Sequence, residues 1–177
     1  MKEILLKNDK KAIIRKANTK DAQEIINYLN KIGGESDFLT FGENEFNMSL
    51  ENEEKYINSH EDTNNSIMIV TLVDGKIVSV ASITSVQKDR LKHVGSLGIS
   101  VFSEYWGLGI ANEVMTYLIN WAKSNSITKK VTLSVREDNY KAINLYKKFG
   151  FEEEGNFKSD IFINDIYYNT ISMGLLV

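Results

Sequence analysis

The sequence predicts an α/β fold of one domain, in which a central, mostly antiparallel, twisted sheet is flanked by helices. Three observations predict it. Residues 67–73 and 76–83 are β-rich runs joined by Asp74-Gly75, a pair suited to the positive φ angles of a type I′ hairpin turn. Between residues 108 and 124, Ile110, Val114, Leu118 and Trp121 recur at helical spacing, with Met115 and Ala122 widening the stripe. Hairpin runs in the front half, followed by strand, helix, strand and helix, argue for one mixed sheet with helices on its faces.

Taken in order, residues 12–15 read as a first strand. Asn18 or Thr19 then offers an N-cap side chain to a helix carrying Ala22, Ile25, Ile26 and Leu29, which Gly33-Gly34 ends. Residues 35–47 hold Phe38, Phe41 and Phe46 without a period and read as a loop, and Ser49 starts an acidic helix to about residue 59. After the hairpin, the polar stretch 87–92 leads into a strand over 94–101. There Leu97, Ile99 and Val101 alternate with Ser96, Gly98 and Ser100, giving one apolar face and one of unusually small residues. The 108–124 helix follows, then a strand on which Val131, Leu133 and Val135 alternate. A short helix over 139–149 is stopped by Gly150, and residues 157–177 form a hairpin turning near Asn164-Asp165. The predicted order is βααβββαβαββ, one domain over 1–177 with its core at about 12–176.

A chain of 177 residues can bury about 70% of its unfolded surface, so a full core needs no staples. The absence of Cys excludes a disulfide framework, a thiolate zinc site and a cysteine nucleophile, and no metal site is expected. The longest apolar runs, such as 67–73, fall far short of the roughly 20 residues of a membrane helix, and Met1-Lys2-Glu3 leads into no signal-like stretch. The expectation is a soluble cytoplasmic protein with no membrane partner. A net charge of -3 with both signs interspersed argues against nucleic acid.

Two segments carry chemistry. Residues 99–111 run from a strand through a turn into a helix, with Gly107 and Gly109 letting the backbone approach a ligand. The first free N–H groups of that helix favour an anion, and a pyrophosphate would suit the place. On Gly-x-Gly alone, a plain tight turn is an equal reading. In the second segment, residues 139–151, a helix sets Asn139, Ala142 and Tyr146 at i, i+3 and i+7. Asn139 could hydrogen-bond an amide-containing arm, Ala142 leaves room for it, and Tyr146 can donate its hydroxyl proton at the far end. Taken singly, Tyr146 reads as a half-buried aromatic.

Together, in this order and about a strand apart, the two segments resemble the cofactor motifs of the GNAT family of N-acetyltransferases, and the element order fits that family over roughly 12–176. The resemblance implies acetyl-CoA as cosubstrate and direct acetyl transfer to a primary amine of a small molecule or a peptide. A module that senses acetyl-CoA without turnover is the alternative. By the same resemblance, the backbone around Trp106, Gly107, Leu108, Gly109, Ile110, Ala111 and Asn112 meets the pyrophosphate. The main chain of Ile99 and Val101 pairs with the arm, Asn139 and Ala142 adjoin the pantetheine, and Tyr146 faces the sulfur as general acid. The chain departs from the family pattern at Glu104, where Gln or Arg is usual, and at Trp106, where a basic residue is common. Backbone N–H groups are therefore expected to carry the phosphate contact.

The acceptor side is less marked. Glu35, Asp37 and His93 are candidate bases, but the two acids read more readily as turn residues and His93 as a surface or hairpin residue, and Phe38 beside them reads equally as a core anchor. Glu43, Glu45, Glu51, Glu53 and Glu54 would suit a polyamine, or form the solvated face of a helix. A protein N-terminus is the other acceptor class. The family resemblance implies a homodimer, for which the aromatic tail 157–168 could supply a pairing strand or simply complete the sheet. A dinucleotide-binding domain fits poorly, because the glycine turn follows several hairpin strands rather than the first strand of a parallel unit.

Overall fold

The computed structural model describes residues Met1–Val177. Its elements are β1 (Lys2–Leu5), β2 (Lys11–Lys16), α1 (Ala22–Ile32), α2 (Leu50–Glu61), β3 (Ile67–Val73), β4 (Lys76–Ser85), β5 (Val94–Val101), α3 (Ile110–Ser124), β6 (Lys130–Arg136), α4 (Tyr140–Lys148), β7 (Glu152–Ile163) and β8 (Ile166–Leu176). The strands form one sheet in the order β1-β2-β3-β4-β5-β6-β8-β7. Every pairing is antiparallel except β5 with β6.

The mixed sheet and its helices match the expected class, with one strand added at the front. β1 is four residues of which only Ile4 is buried, too short and too polar to show a period of two. The C-terminal hairpin also starts earlier than expected, at Glu152, since β7 is an edge strand whose polar residues face solvent on both sides. Both hairpin turns have the required left-handed geometry, with φ of 51° and 78° at Asp74-Gly75 and 50° and 62° at Asn164-Asp165. The aromatic tail completes the sheet as β7 and β8, and leaves Phe157, Phe162, Ile166 and Tyr167 exposed.

Local signals place the helices. Asn18 forms a capping box with Asp21 around a 3-10 turn (Thr19–Asp21) that runs into α1, and Arg15 grips the same Asp21 carboxylate with two bonds of 2.6 and 2.7 Å. Ser49 caps α2 by accepting from the Asn52 N–H. Helices α1 and α2 lie on the small-residue face of the sheet. The Tyr28 hydroxyl donates to Ser100 Oγ at 3.0 Å, and the His60 ring bridges the Tyr56 carbonyl and the Thr84 hydroxyl. Of the small residues on that face of β5, Ser100 bonds Tyr28 of α1, while Ser96 and Gly98 stay exposed. Helix α3 supplies the crossover that the parallel β5–β6 pair requires.

The acidic face of α2 needs a correction. Glu51 is exposed and Glu54 half-exposed, but Glu53 points into the core with Ile57 and His60. It is fully buried, neither carboxylate oxygen has a partner, and burial raises its pKa. The folded state therefore holds a proton that the unfolded chain releases, so stability present below about pH 4.5 is lost as pH rises toward the raised value. Replacing Glu53 by Met removes the orphaned group at similar volume. The expected outcome is a stabilisation of about 1–3 kcal/mol in urea unfolding at pH 7.5, shrinking at pH 4.5. A gain of equal size at both pH values would contradict this.

Candidate active site

β5 and β6 are hydrogen-bonded only through Val94↔Lys130, Gly95↔Val131 and Ser96↔Thr132, and then part. Each stays paired on its outer side, β5 with β4 as far as Ser79↔Val101 and β6 with β8 as far as Arg136↔Thr170. The Phe102 N–H bonds the Val78 carbonyl at 3.0 Å, which sets the antiparallel alternation. Ile99 and Val101 accordingly turn their N–H and C=O groups away from β4, into the gap. The Trp106 indole N–H takes the Val101 carbonyl at 2.7 Å, whereas Ile99 keeps both groups free.

Past the end of β5 a 3-10 turn (Ser103–Tyr105) leads to the glycines. Gly107 and Gly109 have φ of 77° and 101°, and a Cβ at either would meet nothing within 4 Å. Positive φ makes glycine the residue of choice at both places, and the open space lies in front of the backbone. Gly109 is the N-cap of α3 and brings no side-chain cap. The first N–H to close the helix is that of Glu113, onto the Gly109 carbonyl at 3.2 Å. Consequently the six consecutive N–H groups of residues 107–112 have no acceptor in the protein. Lys148 of α4 donates to Asn112 Oδ1 at 2.9 Å and sets a cation at this first turn. Glu104 is exposed and has no ion pair. Trp106 is half exposed, with Lys141 Nζ 5.8 Å from its ring.

Helix α4 flanks the gap. Asn139 is its N-cap rather than its first helical residue, and its Oδ1 accepts from the Ala142 N–H at 3.2 Å. This corrects the simple stripe: the side-chain oxygen of Asn139 is engaged, and only its Nδ2 is free. Ala142 is half-buried behind it. The Tyr146 ring is buried against Phe151, with centroids 6.0 Å apart. Its hydroxyl has no partner in the protein and is not sealed from solvent, and burial pushes its pKa up to about 12.

The acceptor-side candidates separate. His93 is exposed at the closed end of the β5–β6 pair, where its carbonyl receives the Lys129 and Lys130 N–H groups. Six residues of strand put it about 20 Å from Ile99, so it is no base for this gap. Glu35 reaches the open end but is engaged, accepting from the Ser103 N–H at 2.8 Å. Phe38 lies under the Arg136 guanidinium at 4.5 Å. Asp37 lines a groove of about 430 Å³ between the 35–47 loop and the end of β7, together with Glu45, Asp160, Phe41 and Phe162. The loop folds this tightly because Gly33 meets the Gly42 carbonyl, which would lie 2.1 Å from an added Cβ. Arg136 escaped sequence reading, since an arginine ending a strand carries no signal of its own.

The family model described as the acetyltransferase (GNAT) family matches residues 35–151. The chain belongs to this family. The L-amino acid N-acetyltransferase AaaT of Escherichia coli (strain K12) is 33% identical over 105 residues, which are 59% of this chain and 65% of that protein, so the chain spans less than two thirds of this relative. The crystal structure of a GNAT-family acetyltransferase from Streptococcus pneumoniae superposes with a TM-score of 0.91 at 30% identity, covering 94% of this chain and 99% of that one. The yncA structure from Salmonella typhimurium, solved with its cofactor acetyl-CoA, superposes at 0.81 over 93% of both chains. At 15% identity that likeness is one of fold. Within this GNAT fold, the roles of Asn139 can be separated. Asn139→Ala is expected to cost about 1 kcal/mol in urea unfolding through loss of the α4 cap, whereas Asn139→Asp, which keeps an accepting oxygen, leaves the midpoint nearly unchanged.

Proposed function

We propose that the chain is an N-acetyltransferase that uses acetyl-CoA to acetylate a primary amine of a small molecule or a peptide by direct transfer. The observation that carries this reading is the run of six unpaired N–H groups at 107–112, set at the positive end of α3 beside the unpaired edge of β5. Orphaned amides and a helix dipole are what a pyrophosphate needs, and no side-chain cation has to substitute for them. The acetyl-CoA carried by the Salmonella neighbour of the same fold supports this. When bound, acetyl-CoA supplies an acetyl group activated as a thioester.

The chain's own groups then have definable work. Ile99 offers one N–H and one C=O to an amide-bearing arm, as a neighbouring strand would. The Val101 N–H is a preorganised donor for negative charge developing on the acyl oxygen. Asn139 Nδ2 is a further donor to the arm. Tyr146 holds its proton throughout the neutral range, because a buried phenolate is disfavoured. Its proton is therefore available to a departing sulfur, although the raised pKa makes it a weaker acid than a free phenol, and it is unsuited to act as a base. Its free hydroxyl favours turnover over a purely sensing module. On the acceptor side, Asp37, Glu45 and Asp160 around the groove favour an amine that carries positive charge, and Asp37 is the remaining base among the candidates. The amino acids in the name of the E. coli relative fit a small amine acceptor.

Calorimetry with CoA and a thiol-release assay with spermidine, L-amino acids, aminoglycosides and peptide N-termini test the reading. Gly109→Val is expected to weaken CoA binding at least about tenfold, or about 1.4 kcal/mol. Tyr146→Phe is expected to lower kcat about 10²-fold or more with CoA affinity nearly intact. The wild-type kcat should show no alkaline loss due to Tyr146 below about pH 10. Binding of CoA without thiol release from any of these amines would leave the sensor; an unchanged kcat in Tyr146→Phe would remove that residue from the chemistry.

A further inference from the structure

The open end of the β5–β6 gap is bridged by four residues of the 35–47 loop. Glu35 is tied to the β5 arm, accepting from the Ser103 N–H at 2.8 Å. Two residues on, the Asp37 carbonyl accepts from Arg136 Nη1 at 2.8 Å, and the Phe38 ring lies 4.5 Å from the same guanidinium. Arg136 is the last residue of β6. The segment 35–38 thus holds one arm of the gap with Glu35 and the other with Asp37 and Phe38, across a backbone reach of about 7 Å.

The β6 anchor is unusually well determined. Arg136 is only 7% exposed, binds the Asp138 carboxylate through Nε and Nη2 at 2.7 and 2.8 Å, and lies 3.9 Å from the Tyr168 ring. Planar fork, carboxylate and rings fix the guanidinium in one orientation, leaving Nη1 aimed at the loop. The Arg136 carbonyl in turn receives the Asn139 N–H at 2.9 Å, so the same residue adjoins the α4 cap. Asp37 also lines the groove read above as the acceptor site.

We infer that residues 35–38 are a strap across the mouth of the gap, and that Glu35 and Arg136 are positioning residues that hold the acceptor groove in register with the strand edge at Ile99. This rests on the acetyltransferase reading for the word acceptor, but the strap itself rests on contacts alone. Neither residue needs to touch substrate. Glu35 acts through the Ser103 N–H, and Arg136 acts through Asp37 and Phe38.

The test compares Glu35→Ala with Glu35→Gln, whose amide oxygen can still accept from Ser103, and Arg136→Met with Phe38→Ala, which leaves the Arg136–Asp138 pair intact. Two readouts are taken: chymotrypsin cleavage after Phe41, and KM for the best amine of the panel beside the Kd for CoA. Glu35→Ala, Arg136→Met and Phe38→Ala are expected to speed cleavage and raise the amine KM by about tenfold or less, with CoA affinity within about twofold, since local opening of one segment is released. Glu35→Gln is expected to restore both readouts to near wild type. Glu35→Ala combined with Phe38→Ala should give less than the product of the single effects, because both ties restrain one segment. Wild-type cleavage rates in Glu35→Ala and Phe38→Ala, or loss of CoA affinity equal to the rise in amine KM, would overturn the strap. Should no amine release thiol from the wild type, the acetyltransferase reading fails while the cleavage comparison still decides the strap.

Discussion

Three residue pairs join β5 to β6, and the rest of the site follows from their parting there. A strand interior cannot leave its N–H and C=O groups unsatisfied without cost, so an inner edge that faces no strand must face water or a ligand. β5 is secured by β4 and β6 by β8 over their full outer sides, which lets the inner edges open without the sheet coming apart. The same strand that loses its neighbour then runs straight into the glycine turn and α3. An extended edge and a helix N-terminus are therefore presented side by side by one continuous stretch of chain.

The electrostatics are those of the backbone. The chain carries a net charge of -3, and a glutamate stands at the turn where the family resemblance leads one to expect Gln or Arg. The structure resolves that conflict by leaving Glu104 in solvent and aiming N–H groups at the opening, with Lys148 anchored at the first turn of α3. An anion there would be met by fixed dipoles that need no rearrangement. Burial acts in the same spirit on Tyr146. It keeps the phenol neutral, and leaves its oxygen the one polar atom of that side chain with nothing in the protein to bond.

Much of the fold was legible in the sequence because its signals are local. Asp74-Gly75 and Asn164-Asp165 take up left-handed turns by their own chemistry, Asn18 and Ser49 cap helices through bonds spanning three residues, and the α3 stripe needs only its period. β1 was not legible, since four residues with one buried side chain acquire strand geometry only by pairing with β2. Glu53 looked like one more solvated acid of an acidic helix, and only the packing of α2 onto the sheet turned it inward. His93 and Glu35 looked alike as candidate bases. Their difference is one of distance along β5, which no residue type encodes.

What the sequence by itself determined is a set of local features: the glycines at 107 and 109, the helix that begins after them, the strand that ends before them, and the place of Tyr146 on the next helix. These are written in the sequence because left-handed φ and helical period depend on a few neighbouring residues. What only the tertiary structure decided is where strands part and what crosses the opening. Arg136 can hold Asp37 and Phe38 only because β6 ends where the 35–47 loop returns, ninety-nine residues away in the chain. Contacts of that span are set by how the sheet closes on its helices, and not by the residues at either end.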